Sequence, residues 1–228
     1  MKEFEKLTDL LRSKASVKQD VFQHGKTAFT EFKKTAKEFI NLLATSYKEI
    51  DNRVKIGFED VSEQEFRLII GGDILLFHMH TNVFQYDKSH YYWQQSYLKD
   101  DPSRSYGVMI RVYNFLSDSL LLSRENDLGY LIGRIFVNRD NNFVLESKLK
   151  LSSHFPYLNR QSFTIDLQKE IINCLLVFSM EFELNIPSFT QVETVSVRQA
   201  QEFKSKNKLV TAKRLGFQFR DANSNDFD

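Results

Sequence analysis

The sequence predicts an α+β fold: a long N-terminal helix, an antiparallel β-meander of about five to six strands, a buried helix packed on the sheet, and a short basic C-terminal element. Three observations predict it. Apolar residues recur every seven positions before residue 54, the period changes to two between Val54 and Leu151, and a nearly all-apolar helical run follows from Ile171 to Phe178. We divide the chain into a helical segment at 1–54, an α+β core at 55–189, and a basic element with a solvated tail at 190–228, within one structural domain.

The first 54 residues have the heptad pattern of an amphipathic helix. One seam is formed by Phe22, Phe29, Ala36, Leu43 and Ile50, and the second by Gly25, Phe32, Phe39 and the weaker Ser46. If this helix divides into two helices, we expect the break to lie in the stretch "SKASVK" at 13–18. Glycine and serine in the seam favour packing on the protein's own sheet over a regular two-stranded coil, with some of the seam left exposed for a partner.

Alternating polarity predicts the strands between Val54 and Leu151. The segment "EFRLIIGGDILLFHMH" forms two extended runs around Gly71-Gly72, which predicts a hairpin or a tight bend. Further strands are predicted at 106–115, at 128–138 and, after the turn "NRDNN", at 143–151. There Phe143, Leu145, Leu149 and Leu151 alternate with charged residues, as in a half-buried hairpin. Residues 87–105 are predicted to be a long loop, or a short helix with a loop.

A second helix is predicted at 164–184. Its apolar run from Ile171 to Phe178 covers nearly the whole circumference, so we expect it to be buried across the sheet. Asp166 lies near the positive N-terminus of this helix, and Pro187 follows its end. We expect this helix and the β-meander to form the core together.

Composition excludes several functions. Lys and Arg total 31 against 30 Asp and Glu, so no overall charge attracts nucleic acid or anionic lipid. The single cysteine, Cys174, cannot form an internal disulfide, and the N-terminus lacks the apolar region of a signal peptide. Neither a glycine-rich phosphate loop nor a G-x-S-x-G elbow occurs. We therefore expect a soluble cytoplasmic protein without a cofactor and without a membrane partner.

An aromatic cluster follows the first hairpin, in the segment "FHMHTNVFQYDKSHYYWQQ" at 77–95. Tyr91, Tyr92, Trp93 and Tyr97 either line the rim of the core or contact a partner, because tyrosine and tryptophan are enriched in both places. We take these four as the candidate interaction residues. On this hypothesis, alanine at Tyr92 and Trp93 spares folding and weakens a complex.

Three histidines form a candidate metal site. His78 and His80 lie two residues apart on a predicted strand and so point to one face, a spacing found in zinc and iron sites. His90 or Asp87 would supply a third ligand. The alternative is that these histidines have ordinary hydrogen-bond partners on a mixed sheet face.

A nuclease-like pattern is also present. Glu146-Ser147-Lys148 is an E-x-K tripeptide, with Asp127 and Asp140 upstream to share a cation. The same tripeptide occurs at 31–33 and 202–204, in predicted helices, so its occurrence here is close to chance. A charge pair on the polar face of a hairpin explains it equally well.

The C-terminal segment carries the strongest local charge. A nucleic-acid contact there would use the basic residues Lys204, Lys206, Lys208, Lys213 and Arg214. A solvated surface helix with a charged edge strand is the alternative.

The leading interpretation is a non-enzymatic interaction or regulatory protein that acts through protein–protein contacts. A protein partner or self-association would engage the long helix, the aromatic cluster or both. A nucleic-acid-binding accessory protein is the first alternative, and a metal-dependent hydrolase or nuclease is the second.

Overall fold

The computed structural model describes residues 2–125, 127–147, 162–181 and 189–197 of the chain. Within these residues it confirms the predicted α+β class: a long N-terminal helix, an antiparallel sheet and a helix packed on that sheet. Four predicted features lie outside the described residues. They are the end of the last strand at 148–151, the end of the second helix at 182–184, the basic residues Lys204, Lys206, Lys208, Lys213 and Arg214, and the C-terminal tail.

The elements follow one another in the predicted order. The helices are α1 (Lys2–Leu10), a π-helical turn (Leu11–Ser16), α2 (Val17–Tyr47), α3 (Ser96–Asp100), α4 (Ser117–Leu121), α5 (Ile165–Met180) and α6 (Phe189–Val192), with 3-10 turns at Tyr91–Gln94 and Pro102–Ser105. The strands are β1 (Ile56–Ser62), β2 (Glu65–Ile70), β3 (Asp73–Met79), β4 (Phe84–Gln85), β5 (Tyr106–Leu116), β6 (Tyr130–Asn138) and β7 (Phe143–Glu146).

The N-terminal helix continues through the segment at which the sequence allowed a division. Leu10 and Val17, on either side of the π-helical turn, both have right-handed helical torsion angles. Just before and within the turn, the hydroxyls of Thr8 and Ser13 donate to the carbonyls four residues earlier, at 2.9 and 2.6 Å. Such bonds compete with the backbone and bend helices, and a π turn absorbs an extra residue without ending the helix.

The sheet is antiparallel, in the order β1-β2-β3-β5-β6-β7, with β4 paired to β5 beside the end of β3. Among the described residues it has seven strands, against the predicted five to six. The strands not placed from the sequence are β1 and the two-residue β4, which has no detectable alternation. The predicted hairpin at Gly71-Gly72 joins β2 to β3, and Gly71 has the left-handed φ of +56° that favours glycine.

The main core lies between one face of the sheet, here called the inner face, and the helices α2 and α5. Helix α2 buries residues at helical spacing, from Val21 to Ile40, so the predicted intramolecular packing accounts for that part of the seam. Ile50, at the end of the predicted seam, is 72% exposed. A buried hydrogen bond of 2.8 Å from Thr35 to Gln168 joins α2 to α5.

The opposite, outer face is covered at one end by residues 84–105. There Tyr92 and Leu98 pack on Phe136 and Val144 of the sheet in a second apolar cluster. The prediction of a half-buried strand at 143–151 is therefore incomplete: Phe143, Val144 and Leu145 are all at most 2% exposed, because β7 is covered on both faces.

Gly25 sets how closely α2 approaches the sheet. A Cβ at this position would lie 2.3 Å from a methyl group of Val108 on β5. We expect Gly25→Ala to lower the free energy of unfolding by about 1–3 kcal/mol, since the helix or the strand must shift. Gly57→Ala is the control, because nothing lies within 4 Å of its Cβ position. Denaturant unfolding measures both, and equal stability of the two variants would contradict the close approach.

Candidate functional site

The first part of the N-terminal helix projects beyond the domain. Every residue from Glu3 to Ser16 is exposed, and the π-helical turn has no buried residue. Contact with the domain begins at about Lys18, whose ammonium lies 5.6 Å from the Tyr106 ring centroid. At about 1.5 Å per residue, this projecting arm (residues 2–16) is about 20 Å long.

The arm carries an apolar stripe. Phe4, Leu7, Leu10 and Leu11 are spaced three and four apart, so they share one side of the helix. Their exposed fractions are 74%, 53%, 41% and 54%. A helix gains most of its stability from packing its apolar side, and this stripe receives no such packing from the described residues. The stripe is therefore exposed apolar surface of the kind found at protein interfaces.

The charged residues of the arm are divided between its two halves. Glu3 and Glu5 lie in its first turn, and Arg12 and Lys14 lie in the π-helical turn. Lys2 and Lys6 offset two of the three acids Glu3, Glu5 and Asp9, so residues 2–9 have a net charge of −1 and residues 10–16 a net charge of +2.

The four candidate aromatic residues differ widely in exposure. Tyr92 is 3% exposed and belongs to the outer-face cluster, whereas Tyr91 is 49% exposed. Trp93 is half-buried; its indole N–H donates to the Tyr86 carbonyl at 3.2 Å, and the Lys88 ammonium lies 3.3 Å from its ring centroid. Of the four, Tyr91 has the most ring surface available to a partner.

Tyr97 joins the aromatic segment to the β6–β7 turn. Its hydroxyl donates to Asp140 at 3.0 Å and accepts from the side-chain amides of Asn138 and Asn142, each at 2.9 Å. The Arg104 guanidinium lies 4.6 Å from the Tyr97 ring centroid and donates to Asp140 at 2.8 Å. These contacts give Tyr97 a structural role in holding residues 84–105 on the sheet.

The structure does not bring the three candidate histidines together with a further ligand. His78 is on β3, His80 Nδ1 accepts from the Asn82 N–H at 3.0 Å, and His90 packs on the Tyr86 ring at 4.7 Å. Among residues 2–125, 127–147, 162–181 and 189–197, no three His, Cys, Asp or Glu side chains are placed to hold a metal ion.

The carboxylates of the nuclease-like pattern are also separately engaged. Glu146 is ion-paired with Arg134, Asp127 accepts from the Ser119 hydroxyl at 2.7 Å, and Asp140 bonds Tyr97 and Arg104. Lys148 lies outside the described residues. These three carboxylates therefore form ordinary structural ion pairs and hydrogen bonds.

Cys174 is half-buried on α5, and burial, followed by the charge of Glu170, raises the pKa of its thiol. A protonated thiol is a poor nucleophile. None of the described helices is both long and apolar enough to cross a bilayer.

Comparison of the chain with protein-family models, with curated proteins and with solved structures found no match in any of the three.

The sequence contains the signal for the projecting stripe, although the stripe lies before the heptad pattern that begins at Phe22. Phe4, Leu7 and Leu11 have the spacing of one helix face within "MKEFEKLTDLL". What the pattern could not show is that the sheet ends before it reaches this part of the helix.

Proposed function

We propose that this protein is a non-enzymatic cytoplasmic interaction protein that self-associates through its projecting arm. The observation that carries the proposal is the exposed stripe of Phe4, Leu7, Leu10 and Leu11 on a helix segment whose residues from Glu3 to Ser16 are all exposed. Exposed apolar surface of this kind marks contact sites between proteins. The partner that the arm fits best is the arm of a second copy.

Charge complementarity supports a second copy in antiparallel orientation. In the register that sets Leu7 opposite Leu10 of the second copy, Glu3 lies opposite Lys14 and Glu5 lies opposite Arg12. By symmetry each of these pairs occurs twice. A parallel pair would instead place Arg12 and Lys14 beside the same two residues of the second copy, and these like charges repel.

The predicted test is Leu7→Glu. We expect the unaltered protein to have twice the mass of its 26.9 kDa chain, and the variant to dissociate at least about a hundredfold more readily, since each of two copies loses a buried leucine. Light scattering after size exclusion, over a range of concentrations, measures this. Leu42→Glu is the matched control, because Leu42 is 72% exposed on α2 but lies away from the arm.

The orientation has its own test. Glu5→Arg and Arg12→Glu should each weaken the dimer, and the double variant should restore it, because an antiparallel pair then regains both contacts with the charges exchanged. Two weakened single variants without restoration would contradict the antiparallel register. A mass of one chain at every concentration would overturn self-association itself.

A further inference from the structure

A row of ionisable side chains crosses the outer face of the sheet. Strand pairing aligns Glu65 with His78, His78 with Arg111, Arg111 with Arg134, and Arg134 with Glu146. These five residues stand on five neighbouring strands, on the side opposite the Phe66 and Phe77 core. The three middle residues of the row, His78, Arg111 and Arg134, are all basic.

The two acids of the row are engaged by arginines other than Arg111. Glu65 accepts from Arg67 at 3.0 and 3.1 Å, and Glu146 is ion-paired with Arg134. Arg111 has no ion pair within the part of the chain that the structure describes, and its Nε–H is buried without a hydrogen-bond acceptor. It also stands directly across from Arg134, where like charges repel.

The Arg111 side chain as a whole is half-buried, but its Nε–H is buried. A buried donor without an acceptor loses its hydration with no compensation, and an anion would supply the acceptor. Burial, and next to it the Arg111 charge, lowers the pKa of His78, while Glu65 acts against that change and His80 adds to it. Arg111 thus has a donor to offer and no acceptor for it among the described residues, whereas Arg134 is already paired with Glu146.

A cavity of about 290 Å³ adjoins the row. Its charged lining residues are Asp87, Arg134 and Glu146, and its rings and apolar groups include Phe84, Tyr86, His90, Met109 and Phe136. Arg111 and His78 are outside the lining; Arg111 lies two residues after Met109 on the same face of β5. The Tyr86 hydroxyl is buried and has no hydrogen-bond partner in the described structure. This volume is at the small end of ligand sites, and its lining of rings and a thioether suits a single flat ring.

We propose that the outer face binds a small organic anion, with its carboxylate or phosphoryl oxygens on Arg111 and His78 and its planar ring in the cavity beside Tyr86 and Met109. Arginine is suited to this role because its guanidinium presents paired donors to two oxygens of one anion. The site is independent of the pairing of the arms, since the row lies on the sheet and the stripe lies beyond it.

The test uses benzoate, phenyl phosphate, inorganic phosphate and benzyl alcohol as probes of the full-length protein, by calorimetry and by NMR of the His78 ring. We expect at least one of the two ring-bearing anions to bind more tightly than phosphate or benzyl alcohol. Which of the two binds better separates carboxylate from phosphoryl recognition. Arg111→Gln should weaken binding at least about tenfold, and Arg53→Gln, on an arginine that is 86% exposed, should leave it unchanged.

A second readout needs no variant. An anion beside His78 favours the charged imidazole, so saturation with the bound probe should raise the pKa of His78, and binding should tighten as the pH falls through that pKa. The proposal is overturned if neither ring-bearing anion binds, if benzyl alcohol binds as well as both, if folded Arg111→Gln binds normally, or if His78 titrates identically with and without probe.

Discussion

Replacing Phe32 by alanine is expected to lower the free energy of unfolding by about 3–5 kcal/mol. Phe32 is completely buried on α2, and its ring centroid lies 5.9 Å from Phe66, 5.6 Å from Phe77 and 5.1 Å from Phe163. It therefore joins the helix to two strands and to the segment that precedes α5. Denaturant unfolding followed by circular dichroism measures the effect.

Phe39→Ala is the matched control for this change. Phe39 lies on the same helix but is only partly buried at the edge of the core, so its removal should cost clearly less. Because domains are typically stable by about 5–15 kcal/mol, the Phe32 variant should be close to unfolding at moderate temperature. A loss below about 1 kcal/mol would mean that α2 is not packed on the sheet as described.

Replacing Tyr92 by alanine is the second large effect, with an expected loss of about 3–4 kcal/mol by analogy with other large aromatic side chains. Its ring centroid lies 4.9 Å from Tyr86 and 4.5 Å from His90, and the side chain is 3% exposed. Tyr91→Ala, at a 49% exposed neighbour, should cost less than about 1 kcal/mol. Thermal and denaturant unfolding compare the two.

Burial also adds a pH dependence at Tyr92. Desolvation is the largest cause that raises the pKa of its phenol above the ordinary value of 10.0. The folded state therefore holds the proton more tightly than the unfolded state, and stability should decrease as the pH rises above about 10.

If the alanine variants Tyr92→Ala and Tyr91→Ala prove equally stable, residues 84–105 do not pack on the outer face.

The sequence suggested that Tyr92 and Trp93 could be replaced without loss of folding, and the burial of Tyr92 leads us to expect the opposite. Composition cannot separate a ring at the rim of a core from a ring in a contact surface, because both environments favour an apolar body with a polar tip. The separation depends on Phe136 and Val144 of distant strands, which form the floor under Tyr92.

Local patterns were sufficient for most of the fold. The heptads between Phe22 and Leu43, the alternation in β2 and β5, and the apolar run of α5 each depend on periods that neighbouring residues reveal by themselves. The same holds for the Gly71-Gly72 hairpin, whose geometry is a property of four consecutive residues. The class and order of elements followed from these signals.

Tertiary structure alone decided the surfaces on which function is proposed. The stripe on Phe4, Leu7, Leu10 and Leu11 is exposed because the sheet ends near Lys18, and sheet extent depends on pairing between distant strands. Likewise, Glu65, His78, Arg111, Arg134 and Glu146 form a row only through the register of five strands. A sequence by itself determines the face on which a side chain lies, because that is a local period; it does not determine which side chain stands beside it across the sheet, because register is settled by the whole packed core.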